Sequence, residues 1–115
     1  MMHPQYHSDL QRTADILKIL GDSNRLHILA LISHQELCVC EITSILNISQ
    51  SNASQHLARL RSADLVKERR SAQWIYYSLN PDAFPIIKEI LDSLPDVSWE
   101  LKKIEDLTDH KKCKI

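Results

Sequence analysis

Over residues 9–20 the apolar side chains Leu10, Ala14, Leu17 and Leu20 recur at helical spacing until Gly21 ends the run, which predicts a first helix. Ser23 is the expected N-cap of a second helix, on which Leu26, Leu29 and Ala30 carry an apolar face to about Ser33 or His34. After the polar break His34-Gln35-Glu36, Ile42, Ile45 and Leu46 predict a short amphipathic helix that closes at Asn47. Ser49 then suits the cap of a fourth helix with Ala53, Leu57 and Leu60 turned inward. Two short helices on a tight link make a helix-turn-helix pattern.

Residues 65–69 and Trp74–Leu79 are rich in β-branched and aromatic side chains, and the polar group Arg70-Ser71-Ala72-Gln73 separates them, so they predict a β-hairpin. Ile75, Tyr77 and Leu79 share one face of it, the face expected to pack on the helices. Pro81 and Pro85 fit only near a helix start, so Ile86, Ile87, Ile90, Leu91 and Leu94 form the body of a fifth helix that breaks at Pro95. Val97, Leu101, Ile104 and Leu107 predict one more amphipathic helix. The expected fold is mainly α with a small β-hairpin: a winged helix-turn-helix of order α-α-α-α-β-β-α with a C-terminal helical extension. One domain spans residues 1–115, with 1–8 and 108–115 as flexible tails.

With 115 residues, 43% apolar and 25% charged, a second core would not fit. No stretch nears the roughly 18 unbroken apolar residues of a membrane span, and the N-terminus lacks the basic-then-apolar order of a secretory signal, so a cytoplasmic protein is expected. Gly21 is the only glycine, which excludes P-loops and dinucleotide fingerprints. The net charge of -1 hides a basic middle: residues 1–48 sum to -2, 49–80 to +3 and 81–115 to -2.

That basic middle coincides with the helix-turn-helix. The outward side of the fourth helix carries Gln50, Ser51, Asn52, Ser54, Gln55 and Arg59 and no acid. Amides and arginine can bond base edges two-pronged, and the helix start offers N–H groups to phosphate. Lys67, Arg69 and Arg70 on the hairpin are expected to hold phosphate or minor groove beside it. A polar face or a charged hairpin alone is ordinary solvated surface; together, in this order, they predict binding of double-stranded DNA.

Cys38 and Cys40 stand at the start of the third helix. Inside a regular helix, positions i and i+2 point about 200° apart, whereas in an extended or frayed segment they share a face. A helix start lowers a thiol's pKa, and thiolates bind soft metals and metalloids, so the pair is a candidate ligand set. The bland alternative is two small core hydrophobes. All three cysteines are expected as free thiols, and a closed four-cysteine zinc site cannot be built from them. Cys113, His3 and His7 are further candidate ligands; terminal histidines are more often simply solvated. His27 and His56 are expected to be structural or phosphate-facing. A thiol enzyme needs a base paired with its nucleophile, and no such spacing exists, so no catalytic residue and no small-molecule substrate are expected. A thiol redox switch is the remaining alternative.

The runs Leu20-Gly21-Asp22-Ser23-Asn24-Arg25-Leu26, Glu36-Leu37-Cys38-Val39-Cys40-Glu41-Ile42, Ser49-Gln50-Ser51, Gln55-His56-Leu57-Ala58-Arg59-Leu60 and Trp74-Ile75-Tyr76-Tyr77-Ser78-Leu79 together resemble the ArsR/SmtB family of metal-responsive repressors, over about residues 10–95. The resemblance implies a homodimeric repressor on a palindromic operator, released by an inducer at Cys38 and Cys40. It implies a dimer interface from the first and last helices, here Leu10, Leu17, Ile87, Ile90, Leu91 and Leu94. As(III) or Sb(III) is the favoured inducer, because arsenic takes three sulfurs and can hold on with two; Cd, Pb or Zn is the alternative.

Three features depart from the family pattern. Thr43 stands where some arsenite-sensing relatives have a third cysteine, leaving Cys113, water or a buffer thiol as third ligand. Asp82 is followed by Ala83 and Phe84, so the zinc-type site of the last helix is not expected. Asp64 and Ala72 replace turn glycines; aspartate tolerates the left-handed conformation at modest cost and alanine poorly, so a different wing turn is expected.

Overall fold

The computed structural model describes residues 4–83 and 85–106. The element order is α1 (Pro4–Leu20), α2 (Ser23–Ile32), β1 (Leu37–Cys38), α3 (Val39–Leu46), α4 (Gln50–Ser62), β2 (Val66–Ser71), β3 (Trp74–Leu79), α5 (Ile86–Asp92) and a 3₁₀ helix (Ser98–Asp106). This is the expected winged helix-turn-helix with one added strand. His3 and Cys113 lie outside the described residues, as does the side chain of His7.

Helix α1 begins at Pro4, a residue the first turn accommodates, so residues 4–8 are helical where a tail was expected. Its apolar positions form two rows. Ile16 and Leu20 are buried, whereas Leu10 and Leu17 are each 49% exposed. The cap of α2 is Asp22, not Ser23: its carboxylate accepts from the N–H groups of Asn24 at 2.8 Å and Arg25 at 3.1 Å. Residues Ile28, Leu29, Ala30, Leu31 and Ile32 are all buried, so α2 runs through the core rather than along its edge. Arg25 donates through Nε to the Ile19 carbonyl at 2.6 Å, fastening α2 to the end of α1.

The sheet has three antiparallel strands in the order β1-β3-β2. Strand β1, which no periodicity predicts, sets Leu37 opposite Tyr77 and Cys38 opposite Tyr76. Strands β2 and β3 pair from Val66 with Leu79 to Ser71 with Trp74. The two residues between them turn the chain with Ala72 at φ 55°, and Asp64 before β2 has φ 59°. A positive φ at the first central position alone is the type II′ pattern, which glycine normally fills. Asp64 and Ala72, the positions where the family resemblance implies glycine, thus both hold a positive φ.

The predicted last α-helix is instead 3₁₀. It lies against α3, with Leu101 and Ile104 packed on the core and Lys103 Nζ donating to the Ile45 carbonyl at 3.4 Å. Buried Glu100 bonds His27 Nε2 at 2.7 Å, which makes His27 structural. Ile87 is only 2% exposed and belongs to this chain's own core, so it drops out of the expected dimer face; Ile90, Leu91 and Leu94 remain half-buried. Among the described residues no helix is long and apolar enough to cross a membrane.

Candidate nucleic-acid interface and thiol site

Asn47 ends α3 in the left-handed conformation, φ 56° and ψ 48°, with its N–H donating to the Thr43 carbonyl at 2.8 Å. Asparagine tolerates this better than most side chains, which makes so tight a link affordable. Ser49 Oγ then accepts from the Asn52 N–H at 3.0 Å and starts α4. Ala53, Leu57 and Leu60 are buried as predicted, so α4 is fixed in rotation. Gln50, Ser51, Asn52, Ser54, Gln55 and Arg59 are consequently all exposed on one acid-free surface. His56 lies inward, its Nδ1 3.4 Å from Arg25 Nη1, and braces α4 on α2 rather than facing phosphate.

The wing is less uniform than its charge suggests. Lys67, Arg69 and Arg70 are exposed, but alternation puts Lys67 and Arg69 on one face of β2 and Arg70 on the other. Arg69 is engaged within the chain. Its Nε donates to Glu36 Oε2 at 3.2 Å, its Nη2 donates to Glu36 Oε1, and its Cζ lies 4.8 Å from the centre of the Tyr76 ring. The guanidinium holds the Glu36 carboxyl below its ordinary range. On the opposite face Glu68 pairs with Arg61 at 3.0 Å and accepts from the Tyr77 hydroxyl at 3.1 Å. Sequence reasoning gave Arg69 to DNA and missed Glu36; the only signal was a lone acid two positions before the first cysteine.

Cys38 is the extended N-cap of α3, with φ -88° and ψ 167°, and Cys40 is the second residue of the helix. That change of backbone within two residues turns both sulfurs to one side, 3.3 Å apart, a separation that a regular helix would forbid. The Cys38 N–H donates to Glu41 Oε1 at 2.9 Å, so the glutamate supplies the returning half of a capping box. Burial pushes the Cys38 thiol up to about 11, and the nearby Glu41 charge adds to the rise. This corrects the expectation that the helix start lowers it: desolvation outweighs the dipole, and at neutral pH Cys38 carries its proton. Cys38 is not part of a disulfide.

Both cysteines open into a cavity of about 200 Å³, whose wall also includes Gln50 and Ser54 of α4 and Trp74 and Tyr77 of β3. The two cysteines and the first turn of α4 thus meet in one small space. A larger hollow of about 790 Å³ lies elsewhere, between α2, α5 and residues 95–97, lined by Ile87, Leu91, Leu94 and Val97 among others and by no cysteine. Among the described residues no three histidine, cysteine, aspartate or glutamate side chains gather as a metal site. Two sulfurs on one side can hold an ion that tolerates low coordination, with water or an added thiol completing it.

Residues 22–68 match the family model described as "Bacterial regulatory protein, arsR family". The arsenic resistance transcriptional regulator ArsR1 of Pseudomonas putida is 40% identical over 86 residues, covering 74% of this chain and 67% of that one. The arsenical resistance operon repressor of Escherichia coli is 40% identical over 67% of each chain. Among solved structures, NolR from Sinorhizobium fredii superposes with a TM-score of 0.69 at 34% identity, covering 81% of this chain and 90% of its own.

Proposed function

The chain belongs to the ArsR/SmtB family of DNA-binding transcriptional regulators, which are not enzymes, and from that membership we propose that it represses transcription as a homodimer on palindromic operator DNA until As(III) or Sb(III) binds Cys38 and Cys40. The observation that carries this reading is the cavity shared by Cys38, Cys40, Gln50 and Ser54. A ligand on the sulfurs occupies space against the first turn of α4, where a small displacement misplaces every base contact. Gln50, Ser51, Asn52, Ser54, Gln55 and Arg59 read or position the operator, and Lys67 and Arg70 hold its phosphates.

In the reduced protein the capture chemistry needs no oxidant. Arsenous acid, As(OH)₃, condenses with the two thiols: two As–S bonds form, two As–OH bonds break, and each thiol proton leaves with a hydroxide as water. The reaction starts from thiols, the form in which Cys38 is held. Water, a buffer thiol or Cys113 takes the third position. Cadmium, lead or zinc prefers more protein ligands than the described residues assemble, which ranks them second, with His3 and His7 as their further candidates. A thiol-redox switch is the remaining alternative, since the two sulfurs lie 3.3 Å apart.

Leu10 and Leu17 on α1 give the dimer an exposed apolar row, and Ile90, Leu91 and Leu94 on and beyond α5 add half-buried apolar surface. Work on operator DNA places the protein in the cytoplasm. The test is a gel-shift assay on fully reduced protein. Arsenite should release DNA from the wild type and not from Cys38→Ser or Cys40→Ser; release by oxidant with no effect of arsenite would move the function to the redox reading.

A further inference from the structure

We propose that Glu36 is the positioning residue that couples the thiol site to the wing, acting through Arg69; this rests on the reading of Cys38 and Cys40 as inducer ligands. Strands β1 and β2 lie on opposite sides of β3 and share no main-chain pairing. Glu36 sits just before β1, two residues from Cys38, and Arg69 sits in β2. Tyr76 of β3 is the register partner of both Cys38 and Arg69. The guanidinium lies over the Tyr76 ring and reaches Glu36 with two hydrogen bonds, forming a strap across all three strands.

The strap is at the surface, with the Arg69 side chain 55% and the Glu36 side chain 37% exposed. Exposed ion pairs add little to stability, so its geometry rather than its energy is what the fold keeps. Two-pronged arginine–carboxylate pairing fixes direction as well as distance, so a shift at one end moves the other. The sulfurs already stand 3.3 Å apart, so one arsenic atom can bridge them as they are; its added bulk fills the cavity walled by Trp74 and Tyr77 of β3 and pushes β1 at Cys38 away from that strand. Glu36 moves with it, Arg69 follows Glu36, and the wing leaves its phosphate position. In the same way Glu36 keeps the Arg69 charge from the operator while the inducer site is empty.

The experiment measures operator Kd with and without arsenite for reduced wild type, Glu36→Gln and Arg69→Gln, with native mass spectrometry to count arsenic per chain. Each variant should still bind arsenic, while the ratio of the two Kd values falls about fivefold or more from that of the wild type. The double variant should fall no further, since both changes cut one strap. Exchanging the pair, Glu36→Arg with Arg69→Glu, should recover the ratio, which loss of a merely structural residue would not allow. Glu36→Gln alone should also tighten arsenite-free binding and steepen its salt dependence by about 0.9 in log–log slope, the mark of one added phosphate contact. Unchanged ratios in both single variants with arsenic bound overturn the coupling and leave the inducer reading intact. A wild type that binds operator and ignores arsenite overturns the inducer reading, and the coupling with it.

Discussion

Replacing Ala72 with glycine should stabilise the protein, and the size of the gain follows from two opposed terms. Ala72 has φ 55° at the tip of the wing, between paired Ser71 and Trp74. Holding an L-residue with a Cβ in the left-handed region costs roughly 1–2 kcal/mol, which glycine escapes. Against this, glycine frees the unfolded chain and loses about 0.4–1 kcal/mol. Ala72 is exposed, so its methyl group takes no packing away when removed. The difference favours Ala72→Gly by about 0.5–1 kcal/mol, or a Tm increase of about 2–5 °C for a chain of this length. Thermal unfolding followed by circular dichroism, at one fixed protein concentration because a dimer's Tm depends on it, reads this directly. Asp64→Gly serves as the control: aspartate suits φ 59° better than alanine suits φ 55°, so it should gain less. A lower Tm for Ala72→Gly would refute the left-handed turn.

Other expectations follow from single contacts. Cys38→Ser with Cys40→Ser should bind operator with wild-type affinity and show no arsenite release, checked by gel shift. Arg59→Ala should weaken operator binding by about 1–3 kcal/mol. Arg70→Ala should weaken it with less change in sequence preference, and Arg69→Ala should leave arsenite-free binding nearly unchanged because Glu36 already holds that guanidinium; anisotropy on matched and scrambled operators measures all of them. Asp22→Ala should cost about 1 kcal/mol by removing the cap of α2. The Arg25 N–H holds the Asp22 carboxyl below its ordinary 3.8, so the cap's contribution is complete above pH 3.8 and fades as pH falls through the lower folded value; urea titrations of wild type and variant should converge in acid.

The helix-turn-helix and wing were legible because each has a period or a cap: Ser49 begins α4, Asn47 closes α3, and Ala53, Leu57 and Leu60 set its rotation. What escaped were features decided by partners far along the chain. A two-residue strand has no period, so β1 emerges only once Leu37 and Cys38 meet β3. The stripe on α1 looked single because a helix exposes one apolar row and buries another, and only packing tells Leu17 from Ile16. Asp22 and Ser23 are equally good caps in one dimension, and the chain direction after Gly21 chose the aspartate. Likewise Ile87 continues the same apolar run as Ile90 and Leu91, yet it alone points fully into the core. At the thiol site, spacing located the pair but not its burial, so the sign of the Cys38 shift was unreadable. Arg69 illustrates the same limit, since a basic residue in a wing is counted for DNA until the acid opposite it is seen.

The most direct test of the account is fluorescence anisotropy of reduced protein on an operator fragment from upstream of its own gene, at fixed salt, titrated separately with arsenite, cadmium, lead and zinc. Release by arsenite at about one equivalent per chain, with the divalent ions weaker, is the predicted result. Binding that arsenite leaves untouched, at full reduction of Cys38 and Cys40, would contradict the assignment of the thiol cavity as the inducer site.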